Sequence, residues 1–320
     1  MPEVSRSWDP VCRANRRIIA NGWRVAWGAM VLAFLCYFCL VFWFLVHQRE
    51  FQYTPGGESG SPEQVGLEGF TEIYVTTEDD ERIAAWWAPP RLADGVVLFF
   101  HGTPSTLRDT VWRLPDLRRT GLGVMAIDYR GYGSSTGSPS ELGLRTDARA
   151  AFDYIRAAAP ASKVAVFGES LGTGVAIALA RERPVTGVLL NAPYASVLRL
   201  FEMRGPPLPY RWLLTDQFDS EALIGSINVP VMILHGTADD QIPINEARRL
   251  YAAAREPKTM IEVEGAGHLA AWEGGAREPA LKALVAWTSS DPTDDHAIIP
   301  TQAECPIGGL DCETRLANIR

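Results

Sequence analysis

Hydrophobic positions along this chain change their pattern twice. Val25 to Val46 is a run of 22 residues without a charged side chain. At about 1.5 Å rise per residue it would span roughly 33 Å, enough for a hydrocarbon core of about 30 Å, so it predicts a transmembrane helix. A core helix of that length would show a polar face. A cleavable signal peptide would have a shorter apolar stretch and a small-x-small site before His47-Gln48-Arg49-Glu50. The stretch that follows is rich in Gly, Ser, Pro and Glu with little to bury, and residues 47–64 read as a linker.

From Val65 onward short apolar runs alternate with amphipathic stretches. Thr71 to Val75 and Arg82 to Ala88 flank the acidic turn Glu78-Asp79-Asp80-Glu81 and predict an antiparallel hairpin. Six further runs are almost continuously apolar: Gly95–Phe100, Gly123–Ile127, Lys163–Phe167, Val185–Leu190, Val229–Leu234 and Thr259–Val263. Strands buried on both faces have this composition. Helical segments fall between them at Glu141–Ala158 and Gly172–Arg181, and a last helix is expected over Arg277–Trp287. The expectation is an α/β fold with a mostly parallel eight-stranded sheet and helices on both faces. The catalytic domain is expected over 65–290, and 291–320 reads as a flexible tail.

Composition adds limits. The chain has 320 residues, 47% of them hydrophobic and 21% charged, with a formal net charge of -8, which argues against nucleic acid as a partner. No zinc spacing and no phosphate-cradling glycine loop is present, so neither metal nor cofactor is expected. Arg6, Arg13, Arg16, Arg17 and Arg24 precede the apolar run and only Arg49 follows closely. That asymmetry predicts a cytoplasmic basic tail over 1–24, a signal-anchor helix over 25–46 and a catalytic domain outside the cytoplasm. In such a compartment Cys305 and Cys312 are candidates for a disulfide.

Gly168-Glu169-Ser170-Leu171-Gly172 stands between the apolar run ending at Phe167 and an Ala-rich helical stretch. A serine hydroxyl is a weak nucleophile that needs exposure, a base and an oxyanion site, and a sharp strand-to-helix turn supplies exposure. The flanking glycines make room where a Cβ would collide. Asp239 follows the fifth of the six runs and His268 the sixth, and residues just past strand ends are where open α/β sheets gather function. Asp240 is the rival to Asp239. The other four histidines have plainer readings: His47 at the membrane edge, His296 in the tail, His101 and His235 in turns before a glycine.

Five segments together resemble the α/β-hydrolases, in particular single-span membrane-anchored members of the acylglycerol-lipase and serine-aminopeptidase-like group. They are Phe99-Phe100-His101-Gly102, Asp128-Tyr129-Arg130-Gly131-Tyr132-Gly133-Ser134-Ser135, the serine turn, His235-Gly236-Thr237-Ala238-Asp239 and Gly267-His268. The resemblance implies Ser170 as nucleophile, His268 as base and Asp239 as its orienting partner. It implies an oxyanion hole from the backbone N–H groups of Leu171 and Thr103, because Pro104 has none to offer. Asp128 and Arg130 read as loop organisers, and Glu169 as a buttress of the turn. The stretch 192–228 is implied to be a short lid, and its Tyr194, Leu198, Phe201, Met203, Trp212 and Phe218 suit an acyl group or simply pack on the sheet. The expected activity is ester cleavage on lipid-like substrates through an acyl-enzyme. Amide or peptide cleavage, and a non-catalytic exported interaction domain, are the alternatives. Protein partners are left unknown.

Overall fold

The computed structural model describes residues 9–91 and 95–289. Helix α1 runs unbroken over Asp9–Gln52. Its first part belongs to a unit ending at Gln48, and the remainder of the chain forms a second unit starting at Arg49. The segment Asn21–Gln52, 32 residues with a mean hydropathy of 2.6, is long and apolar enough to cross a membrane. The helix therefore extends past both ends of the apolar run, continuing through Gly22 before it and through Gln48 to Gln52 after it, where neither Gly nor Pro stands to stop it.

The second unit is built on a single sheet. Its strands are β1 (Thr71–Thr76), β2 (Arg82–Ala88), β3 (Gly95–Phe100), β4 (Gly123–Ile127), β5 (Lys163–Glu169), β6 (Val188–Asn191), β7 (Val231–Gly236) and β8 (Lys258–Val263), in the spatial order β1-β2-β4-β3-β5-β6-β7-β8. β1 and β2 form the antiparallel hairpin, β2 also runs antiparallel to β4, and all later neighbours are parallel. Every residue of β3, β4 and β7 is buried, which is why these strands read as continuous apolar runs rather than alternations.

Helices cover both faces. On one, α2 (Leu114–Arg119) and α9 (Arg277–Thr288) share a core with Trp86, Phe99, Phe167, Leu189 and Met232. On the other, α3 (Glu141–Ala158) and α4 (Leu171–Glu182) pack against each other and the central strands. α3 is capped by Ser140, whose hydroxyl accepts the Gly143 N–H at 3.0 Å. The strand order turns back at β3: the chain first builds outward to β4, then crosses to β5 and continues the other way. Loops after β3 and β5 therefore leave the sheet on opposite sides of a crevice.

Two expectations need correction. Residues 47–64 are not a free linker. The first of them complete α1, Tyr53 and Ser59 are buried, and Gly56 bonds through its backbone to Gly131 at 2.7 Å and to Gly133 at 3.2 Å. Ser59 donates its hydroxyl to the Asp128 carboxylate. Composition misled here because, apart from the aromatic ring of Tyr53, the burial is of backbone and small polar groups that the 128–133 loop satisfies. The stretch 192–228 is also not uniformly a lid. It holds α5 (Val197–Arg204), α6 (Tyr210–Leu213) and α7 (Ser220–Ile224), and α7 packs on α4 and on α8 (Ile244–Ala253) as part of the domain body. Tyr194, Tyr210 and Phe218 are buried, while Met203 and Trp212 are exposed. Cys305, Cys312, His296 and the rest of the expected tail lie outside the described residues.

Candidate active site

β5 ends at Glu169 and α4 begins at Leu171, so Ser170 is the single residue of the turn. It sits at φ 49° and ψ -117°, a backbone region that a residue with a side chain occupies only when its surroundings enforce it. The enforcement is steric. A Cβ on Gly168 would lie 2.4 Å from the Gly172 carbonyl oxygen, and one on Gly172 would lie 2.2 Å from that of Phe100. The strand and helix therefore close to a distance that only glycine permits. Ser170 N–H donates to the Asn191 carbonyl at 2.9 Å, and the Thr173 hydroxyl donates to the Ser170 carbonyl at 2.6 Å.

The two other expected residues converge on this turn. Ser170 Oγ lies 3.2 Å from His268 Nε2, and His268 Nδ1 lies 2.8 Å from Asp239 Oδ2. With the ring proton on Nδ1, the serine hydroxyl donates to Nε2 and the ring donates to the carboxylate. Asp239 is fixed by its other oxygen, which accepts the N–H groups of Gln241 and Ile242, each at 2.8 Å. Burial on its own would raise the Asp239 carboxyl; hydrogen bonds from His235, His268 and the Ile242 backbone outweigh it and hold the group well below the usual carboxylate range. His235 Nε2–H donates to the Ile242 carbonyl at 2.8 Å and also stands 3.3 Å from Asp239 Oδ2, so its role extends beyond the turn to the carboxylate itself.

The loop after β3 meets the turn closely. A Cβ on Gly102 would lie 2.9 Å from Ser170 Cβ, so the backbone leading into Thr103 runs against the serine. Leu171 N–H is the first of α4, where a helix has no acceptor of its own to offer. Both expected oxyanion donors thus belong to backbone adjoining Ser170. The Thr103 hydroxyl is 2.6 Å from that of Thr54 and 3.2 Å from Tyr132 Oη. Asp128 ties Ser59 to Leu107, whose N–H it accepts at 2.9 Å, and Arg130 forks between Asp147 and Asp79, so both organise loops. Glu169 faces the buried Arg113 at 2.5 Å.

The arrangement can lower the cost of removing a proton from Ser170. Among the described residues, no group of three His, Cys, Asp or Glu side chains is placed to hold a metal ion. Arg113 and Asn191 were not singled out by the motifs. Asn191 obeys the same rule as the others, standing at the end of an apolar run; Arg113 does not follow such a run, and its partners Trp272 and Glu169 are distant in the chain.

Comparison with known proteins gives concordant results. The family described as "Serine aminopeptidase, S33" matches residues 92–215. An uncharacterized protein of Mycobacterium tuberculosis is 35% identical over 225 residues, covering 69% of this chain and 80% of the relative. The lysophosphatidylserine lipase ABHD12 of Xenopus tropicalis is 29% identical over 240 residues, covering 62% of each chain. Among solved structures, a Pyrococcus furiosus esterase superimposes with a TM-score of 0.58 at 20% identity, covering 71% of this chain and 92% of that one.

Proposed function

The chain belongs to the α/β-hydrolase superfamily, among its esterase- and lipase-like hydrolases, and from that premise we propose that it is a membrane-anchored serine esterase acting on lipid-like carboxylic esters. The observation that carries this reading is the relay from Ser170 Oγ through His268 to Asp239, with separations of 3.2 and 2.8 Å, at the one-residue turn between β5 and α4.

In this mechanism His268 Nε2 takes the Ser170 proton as Oγ bonds to the ester carbonyl carbon. The carbonyl electrons move to oxygen, where the N–H groups of Leu171 and Thr103 receive the charge. Collapse breaks the bond to the alcohol, which leaves with the proton from His268 and a Ser170 acyl ester remains. Water then gives its proton to His268 as its oxygen bonds to the acyl carbon, the bond to Ser170 Oγ breaks, and His268 returns the proton to Oγ as the acid is released. Asp239 keeps the ring in the tautomer that presents Nε2 as acceptor, and offsets the positive charge that forms twice per turnover.

The preference for lipid-like esters rests on the apolar helix in the same chain and on Met203 and Trp212, large side chains left exposed in the stretch between β6 and β7. The Arg residues ahead of the apolar run favour a cytoplasmic N-terminus and a catalytic unit on the other side of the membrane. The family description favours a second reading, amide or peptide cleavage by the same relay.

The test is turnover by the full chain in detergent micelles on esters from acetyl to palmitoyl and on aminoacyl amides, wild type beside Ser170→Ala. Ester turnover peaking at medium or long chains, and reduced about a million-fold in Ser170→Ala, is the expected result. Turnover confined to the amides would transfer the assignment to the second reading.

A further inference from the structure

We infer that Asn191, held in place by the buried Arg113–Glu169 ion pair, is a positioning residue that sets the approach of His268 to Ser170; this rests on the serine-hydrolase reading. Asn191 ends β6 and has no solvent exposure. It touches the site at three points. Its main-chain carbonyl accepts the Ser170 N–H at 2.9 Å. Its side-chain Nδ2 donates to Glu169 Oε1 at 3.0 Å and to the Leu269 carbonyl at 3.4 Å. One amide group thereby ties the residue before the nucleophile to the residue after the base.

Each end of that tie is itself constrained. Glu169 Oε1 lies 2.5 Å from Arg113 Nη2, and the Arg113 guanidinium is wholly buried between Trp112 and Trp272, 3.9 and 4.4 Å from their ring centres. A buried cation keeps its counterion close, because separation would leave an uncompensated charge in a medium that solvates it poorly. The carboxylate is therefore a fixed point for the Asn191 amide. At the other end, Leu269 is held at φ 61°, a left-handed conformation unfavourable for a γ-branched side chain, and the bond from Asn191 falls on its carbonyl. The loop from β8 to α9 that carries His268 is so referenced to the nucleophile turn through side chains the reaction does not consume.

Removing the amide should leave the sheet and the relay residues in place but loosen the base. In Asn191→Ala, assayed as the full chain in micelles, kcat is expected to fall about 10- to 100-fold, the cost of a small misplacement of reacting groups, with KM within about threefold of wild type. Fluorophosphonate labelling of Ser170 should slow by the same factor, since it uses the same proton transfer. Should the alanine variant not fold, Asn191→Ser, which keeps a polar group but cannot reach both partners, gives the same comparison. Wild-type kcat and labelling rate in the folded variant, or a loss carried wholly by KM, would overturn the inference and leave the serine-hydrolase reading intact. Absence of labelling in the wild type would remove that reading and this inference with it.

Discussion

Asp239 spends one carboxylate oxygen on two backbone N–H groups and the other on His268 and His235, and the outcome is an acid held well below the usual carboxylate range. Its pKa in the folded chain is depressed, so it stays charged from neutral to mildly acid pH. Above about pH 4 the acid limb of log kcat/KM should accordingly carry no contribution from Asp239, and its slope should not exceed about one, a tenfold loss per unit. A slope of two there would contradict the depressed Asp239 value. At this scale the sequence was informative because Ser170, Asp239 and His268 each follow an apolar run, where a parallel sheet presents side chains to one edge. Arg113 carried no such mark. It stands between Trp112 and Leu114 rather than at the end of an apolar run, and its surroundings are completed by Trp272 and Glu169, residues distant in the chain.

Strands β3, β4 and β7, buried along their whole length, follow the apolar runs closely, because burial on both faces leaves a signal that needs no partner to interpret. α3 and α9 were legible instead as amphipathic stretches between those runs. The segment 53–59 left little signal, since beyond the single ring of Tyr53 its contacts are made by backbone, by hydroxyls and by glycines with positive φ at Gly56 and Gly57. It nonetheless braces the loop that carries Thr103. Thr54→Val deletes the hydroxyl contact to Thr103 and should lower kcat several-fold with little change in melting temperature; unchanged kcat would assign the segment to stability alone. The serine turn makes a stricter prediction. Gly172→Ala places a Cβ 2.2 Å from the Phe100 carbonyl oxygen, a backbone atom that cannot step aside cheaply. Overpacking of this kind costs about 1–3 kcal/mol or more, so urea unfolding should shift to lower concentration and activity should fall with it. A neutral substitution would contradict the close packing of β3 against α4.

Asp79, held well below the usual range chiefly by hydrogen bonds from Arg130, and Asp239 are both carboxyls whose folded pKa is depressed. Their contribution to stability is present above the unfolded carboxyl value of about 4 and is lost as pH falls through the lower folded values, so melting temperature should drop steadily below about pH 4. A melting temperature independent of pH there would show that these pairs do not stabilise the fold. The apolar segment Asn21–Gln52 predicts that the full chain stays with vesicles through alkaline carbonate and high salt, conditions that strip surface-bound proteins. Release by either wash would contradict the proposed anchor.

The central claim, that Ser170 is the nucleophile of this relay, is tested most directly by covalent trapping. The full chain in micelles is treated with a fluorophosphonate and the modified peptide identified by mass spectrometry. The account predicts a single adduct on Ser170, absent from Ser170→Ala and formed far more slowly in His268→Ala. No adduct on Ser170, or hydrolysis that persists in Ser170→Ala, would contradict it.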